Sequence, residues 1–255
     1  MNTEKDLTII EYKKVDISNS MLIVAFPTVG LVSSIAGRYI IDTQNLEEIG
    51  TISSRFFMPT TIIHNGIPSP PVRIYAGKKV CGIDNTCEQL VVIISEFMPP
   101  LDLTKPLVEM IFTWAQQKGC KIIVTLEGMH SVDGKNPKTY GVATTPNMKK
   151  TLKQYDIQEI KEGMITGDTA ILLYEGARLK RDVICLLADA HASFPDSRAA
   201  GLILEKLDLL LPGIKIDPQP LYQEAEEIEK RIRTYLNQSK PTAPSIPALP
   251  TTMYG

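Results

Sequence analysis

The side chains in this sequence best suited to chemistry are acids and histidines set just past short apolar runs. Glu96 follows Leu90–Ser95, Glu127 and His130 follow Lys121–Leu126, and Asp189 and His191 follow Val183–Ala188. Pro27-Thr28 holds the same place after Met21–Phe26. In open α/β sheets ligands sit beyond the carboxyl ends of the strands. An acid beside a histidine there could move a proton or hold a metal. That chemistry would make the chain a hydrolase or phosphorylase-type enzyme acting on a small molecule. The plainer reading is that polar residues cap strand ends, and it is preferred because function has to be argued from a site. No G-x-G-x-x-G, H-E-x-x-H or G-x-S-x-G is present, and Gly30-x6-Gly37 lacks the Lys-Ser/Thr of a phosphate-binding loop. Its glycines suit a tight turn and close helix packing. Cys81, Cys87, Cys120 and Cys185 form no C-x-x-C pair and read as free thiols. No catalytic residue, metal or cofactor is expected.

A second kind of chemistry is recognition by the chain end. After Asn237 the sequence becomes a proline-spaced arm, with Pro241, Pro244, Pro247 and Pro250 each three residues apart. A polyproline II helix has three residues per turn, so these prolines line one edge of a stiff rod. At about 3.1 Å per residue, Pro241 to Gly255 reach roughly 45 Å. The arm presents Met253, Tyr254 and Gly255. Met253 offers an adaptable apolar side chain, the Tyr254 ring adds apolar area and a hydroxyl, and a terminal carboxylate can make a charge-assisted bond. The tripeptide is similar to the hydrophobic–Tyr–X (HbYX) ending of proteasome activators and assembly chaperones. That similarity implies docking between neighbouring α-subunits of the 20S core particle.

The elements that must carry these groups follow from periodicity. Met21–Phe26, Leu90–Ser95, Lys121–Leu126, Ala170–Tyr174 and Val183–Ala188 are short, nearly continuous apolar runs, as suits strands between two helical layers. Helical patterns cover Leu31–Ile41, Thr104–Lys118 with Pro106 in its first turn, and Asn147–Tyr155. Asp196–Leu211 is a further helix with Asp196 as N-cap. Between Gly50 and Ile83, proline-broken β pieces with His64 before a turn predict hairpin or edge strands. The expected fold class is α/β, a three-layer α/β/α sandwich on a mostly parallel, mixed sheet. Trp114 is expected in the core or at a subunit contact.

Residues 220–237 form one more helix, with Leu221, Ala225, Ile228, Ile232 and Tyr235 on one stripe. Glu226–Lys230, Glu227–Arg231 and Glu229–Arg233 are spaced i, i+4 around it. The stripe covers the domain's own surface or makes an oligomer contact. The expected organisation is a single domain, 1–237, followed by a flexible tail, 238–255.

Three stretches resemble the archaeal and bacterial proteasome assembly chaperone family, related to the second eukaryotic chaperone of that name. They are Ala25-Phe26-Pro27-Thr28-Val29-Gly30-Leu31-Val32, then Gly163–Asp168 with Ala170–Leu173, and then Phe194–Ala200 running on to Leu211 and Asp217–Ile228. Asp168 departs from the proline or small residue expected at its place. The resemblance spans roughly Ser20 to Arg233. It implies a phosphorylase/hydrolase-like sandwich, with a turn and strand at the second stretch. It also implies a homo-oligomer or a complex with a related subunit, and ATP-independent help to proteasome α-subunits.

Composition agrees with a binding protein of ordinary globular type. Lys plus Arg is 27 against 29 for Asp plus Glu, a net charge of −2, which lacks the footprint of a nucleic-acid binder. No apolar run approaches the length of a membrane helix, and Glu4 and Asp6 argue against a signal peptide, so the cytoplasm is expected.

Overall fold

A computed structural model describes residues 6–64, 66–81, 87–130, 137–192, 194–211, 213–221 and 234. Four strands make the centre of the sheet: β2 (Met21–Ala25), β9 (Leu90–Ser95), β10 (Ile122–His130) and β13 (Val183–Ala190). They lie in the order β9-β2-β10-β13 and are mutually parallel. Every residue of β2 and of β9 is buried. The pleat sends alternate side chains to opposite faces. Met21, Ile23 and Ala25 therefore enter one core, and Leu22 and Val24 enter another.

Antiparallel strands extend both sides. β6 (Val72–Ala76), β3 (Glu47–Ser54) and β1 (Leu7–Glu11) continue beyond β9. β11 (Thr139–Ala143) runs antiparallel to β13 and carries the two-residue β12 (Gln158–Glu159) at the margin. The nine-stranded sheet is thus mixed. A hairpin of β4 (Ile62–His64) and β5 (Ile67–Ser69) stands apart from it, as does the short pair β7 (Val80–Cys81) and β8 (Cys87–Glu88). The His64 ring nitrogen lies 3.0 Å from the Arg38 guanidinium.

Helices cover both faces. α1 (Val32–Thr43), α3 (Pro146–Gln154) and α5 (Ser197–Leu209) pack on the Ile23 side, and α2 (Leu101–Gln117) and α4 (Gly167–Leu179) pack on the other. α1 sits tightly on β2, because a Cβ at Gly37 would lie 2.5 Å from the Ala25 Cβ. The Asp196 carboxylate accepts from the Ala199 amide, so the expected N-cap of α5 is in place. Trp114 is a core residue, and its indole N–H donates to Glu11 at 2.8 Å.

Two expectations are corrected. Ala170–Tyr174 is not a strand but the middle of α4. Its buried residues Asp168, Thr169, Leu172, Glu175 and Gly176 recur at steps of three and four, the period of a helix face. A five-residue apolar run does not carry that distinction alone. The second expectation concerns α2, which begins at Leu101, so Pro106 lies in its second turn. The lost backbone hydrogen bond is offset by Leu103, Leu107, Val108 and Ile111, all buried on one face.

The chain beyond α5 turns back into the domain. Ile214, Ile216 and Leu221 enter the α1 core. The Tyr39 hydroxyl donates to the Asp217 carbonyl at 2.6 Å, and the Gln44 amide donates to the Lys215 carbonyl at 3.0 Å.

Candidate functional site

The carboxyl edge of the parallel strands is where an α/β protein would hold a small ligand. Here the chain's own backbone fills the middle of it. Beyond β2, residues Val29–Leu31 form a 3-10 turn with φ +62° at Gly30 and φ +53° at Leu31. The left-handed region is rare for a bulky side chain such as that of Leu31. The turn presses on β10, where a Cβ at Gly128 would come within 1.9 Å of the Val29 carbonyl oxygen. The Thr28 hydroxyl accepts from the amides of Gly128 and Ser33, both at 3.3 Å. On the other side the Asp196 amide donates to the Gly30 carbonyl at 2.8 Å, and the Asp196 carboxylate accepts from the His191 amide at 3.0 Å. A Cβ at Gly30 would meet the His191 carbonyl oxygen at 2.8 Å. The first and third family-like stretches therefore converge, but they seal this part of the edge.

The strand-end acids and histidines fall into separate places. Glu96 is buried and paired with Arg73 from β6. Asp189 accepts from the Lys138 amide at 3.0 Å. The exposed His191 ring stacks on Phe194 with centroids 4.7 Å apart. Among the described residues neither Glu127–His130 nor Asp189–His191 forms an ion pair. None of their groups of three or more His, Cys, Asp or Glu could hold a metal ion. Cys120 and Cys185 are free, buried thiols.

Glu127 has partners that the sequence did not point to. The Thr169 hydroxyl in the first turn of α4 donates to Glu127, and the Thr125 and Thr169 hydroxyls are 2.7 Å apart. Burial lifts the Glu127 carboxyl to about 8, with Thr169 opposing and the Asp168 charge adding to the rise. Burial likewise lifts Asp168 to about 6. Cys185, fully buried on β13, has its thiol pushed up by burial and then by the Glu127 and Asp168 charges. Glu127 keeps its proton at neutral pH, and its bond with Thr169 clasps β10 to α4. A hint was legible: Thr125 and Glu127 interrupt an otherwise apolar strand, and Asp168-Thr169 a second apolar segment.

Glu127 also lines an open groove of about 900 Å3 that runs from the carboxyl end of β10 (Glu127–His130) between α4, β11 and residues 160–166. Met164 is 89% exposed along it and Tyr174 47%. The proposed docking residues Met253, Tyr254 and Gly255 lie outside the described residues, as do Pro241, Pro244, Pro247 and Pro250. Of the stripe, Ala225, Ile228, Ile232 and Tyr235 also lie outside them, while Leu221 is fully buried in its own domain.

Comparison with known proteins gives consistent matches. The model of the PAC2 family matches residues 22–236. An uncharacterized protein of Methanocaldococcus jannaschii, MJ0106, is 31% identical over 229 residues, which is 90% of each chain. The crystal structure of Pyrococcus furiosus PbaA, described as an archaeal homolog of proteasome-assembly chaperone, is 26% identical with a TM-score of 0.78. The match covers 91% of this chain and 97% of PbaA. Pyrococcus furiosus PbaB, described as an archaeal proteasome activator, shares the fold at 22% identity and TM-score 0.73, over 90% of this chain and 98% of PbaB.

Proposed function

The chain belongs to the PAC2 family, and from that premise we propose that it is an ATP-independent assembly chaperone or activator of the proteasome. It acts in the cytoplasm on the α-subunits of the 20S core particle, as a homo-oligomer or with a related subunit. The tripeptide Met253-Tyr254-Gly255 enters a cleft on the α-ring, delivered by the proline arm. Assigning the sandwich to the phosphorylase/hydrolase-like kind belongs to the same proposal. The observation that carries the reading is the coincidence of two unrelated features. The body is similar to a structure described as a homolog of a proteasome-assembly chaperone, and the sequence closes on hydrophobic–Tyr–X after a proline-spaced arm.

The strand-end acids and histidines favour this reading over an enzyme, since Glu96 is tied to Arg73, Glu127 to Thr169 and Asp189 to the Lys138 amide, and no acid–histidine ion pair joins them among the described residues. Binding is then the work of the surface and the arm. The test is co-sedimentation with assembled α-rings. Deleting Met253–Gly255 is expected to abolish binding and leave the thermal unfolding curve unchanged. Adding one or two residues after Gly255 is expected to weaken binding as much as Tyr254→Ala does. Retained binding after the deletion would remove the docking claim.

A further inference from the structure

The proline arm is more apolar than a spacer requires. Residues 241–255 carry no charged side chain. At three residues per turn, Pro241, Pro244, Pro247, Pro250 and Met253 form one edge, and Ala243, Ile246 and Leu249, followed by Thr252 and Gly255, form the next. The third edge holds hydroxyls at Thr242, Ser245, Thr251 and Tyr254. A polyproline II rod of this sequence is amphipathic. Ile246 and Leu249 add nothing to stiffness, which the prolines supply, and an exposed apolar stripe marks a surface that meets another.

The body offers a matching surface in the groove beside α4. At about 900 Å3 it is larger than three further grooves among the described residues, of about 640, 630 and 490 Å3. Met164, Ile165, Leu173 and Tyr174 line it. Polyproline II segments dock in grooves lined by aromatic side chains, because a preformed rod gives up little entropy on binding. Such a rod leaves its carbonyls without internal partners. The Tyr174 hydroxyl and the ammonium groups of Lys149 and Lys161, which also line the groove, are donors for them. An uncharged segment brings no charge that would need desolvation. The reach is sufficient: nineteen residues, 222–240, separate Leu221 from the arm. Extended, they span roughly 60 Å, more than the width of a domain whose radius of gyration is about 17 Å.

We infer that this groove binds residues 241–250 of the protein's own arm as a polyproline II rod, with Ile246 and Leu249 turned inward. The arm is then seated on the body, and its seat fixes where Met253-Tyr254-Gly255 emerges. The inference rests on the arm that the proposed function uses, and it holds whatever particle the tripeptide meets.

The experiment places a benzophenone photo-crosslinker at position 249 in the full chain and maps the products by mass spectrometry. Crosslinks to residues 160–177 are expected. Tyr174→Ser, at a half-exposed position, should lower their yield about fivefold through loss of one aromatic contact. Ile246→Ser, with the crosslinker kept at 249, should lower it similarly. Yield that rises with protein concentration identifies the arm of a neighbouring copy as occupant and overturns capture by the same chain. Crosslinks elsewhere, none at all, or a yield indifferent to both substitutions would also overturn it. Co-sedimentation of the same variants with α-rings reads the docking claim separately, because Met253–Gly255 is untouched in them.

Discussion

Replacing Glu127 by Gln should make this protein more stable at high pH and remove most of its loss of stability between mild acid and mild alkali. The Glu127 carboxyl is pushed up to about 8 in the folded chain, from its ordinary 4.5, because it is largely withdrawn from water at the junction of β10 and α4. The folded state therefore holds a proton that the unfolded state releases from about pH 4.5 upward. The stabilisation linked to that proton is complete below the unfolded value and is lost as pH rises to the folded one. At about 1.4 kcal/mol per unit, the full loss is about 5 kcal/mol, of which about 2–3 falls between roughly pH 5 and pH 7. Asp168, lifted from 3.8 to about 6, adds about 1 kcal/mol over the same interval. Domains are stable by only about 5–15 kcal/mol, so the slope is large enough to see. Urea unfolding midpoints at several pH values measure it. Wild type should weaken steadily with rising pH, and Glu127→Gln should keep only the shallower Asp168 slope. Parallel slopes for the two proteins, or a wild type that strengthens toward alkali, would refute the reasoning.

Other substitutions probe the sealed edge and the buried ion pair. Gly128→Ala drives a methyl group into the Val29 carbonyl and strains the Thr28 hydrogen bond, at a cost of about 3 kcal/mol or more. A midpoint shift corresponding to less than about 1 kcal/mol would mean that the 3-10 turn moves freely. Arg73→Met leaves the Glu96 carboxylate buried without its guanidinium. A loss of about 3–5 kcal/mol is expected, with much of it recovered in the double variant Arg73→Met/Glu96→Leu; equal losses in both variants would show that packing, and not charge, holds that corner.

The interior of the fold was legible because a strand buried on both faces has to be apolar throughout. β2, β9, β10 and β13 announce themselves in that way, and Asp196 announces α5 through its cap. The α4 segment was misread because a five-residue apolar run has no period of its own, and its helical face is marked by Thr169 and Gly176 as well as by apolar residues. β1, β3 and β11 were passed over because their half-covered faces mix charged, glycine and threonine residues with apolar ones. At the candidate site, the strand-end acids were found by position but not by partner. Nothing in local spacing shows that Glu127 meets Thr169, forty-two residues away, or that Glu96 meets Arg73. Long-range pairing of that kind is decided by how helices stack on the sheet, and one sequence does not encode it locally.

The segment after α5 has a mechanical consequence. Ile214, Ile216 and Leu221 are buried against the layer that holds α1, and Tyr39 and Gln44 grip its carbonyls. Tension drawn through the chain beyond Leu221 falls first on these three buried side chains and two carbonyl hydrogen bonds, within the layer of α1. The segment that leads out of the domain is therefore anchored by its own side chains before it leaves.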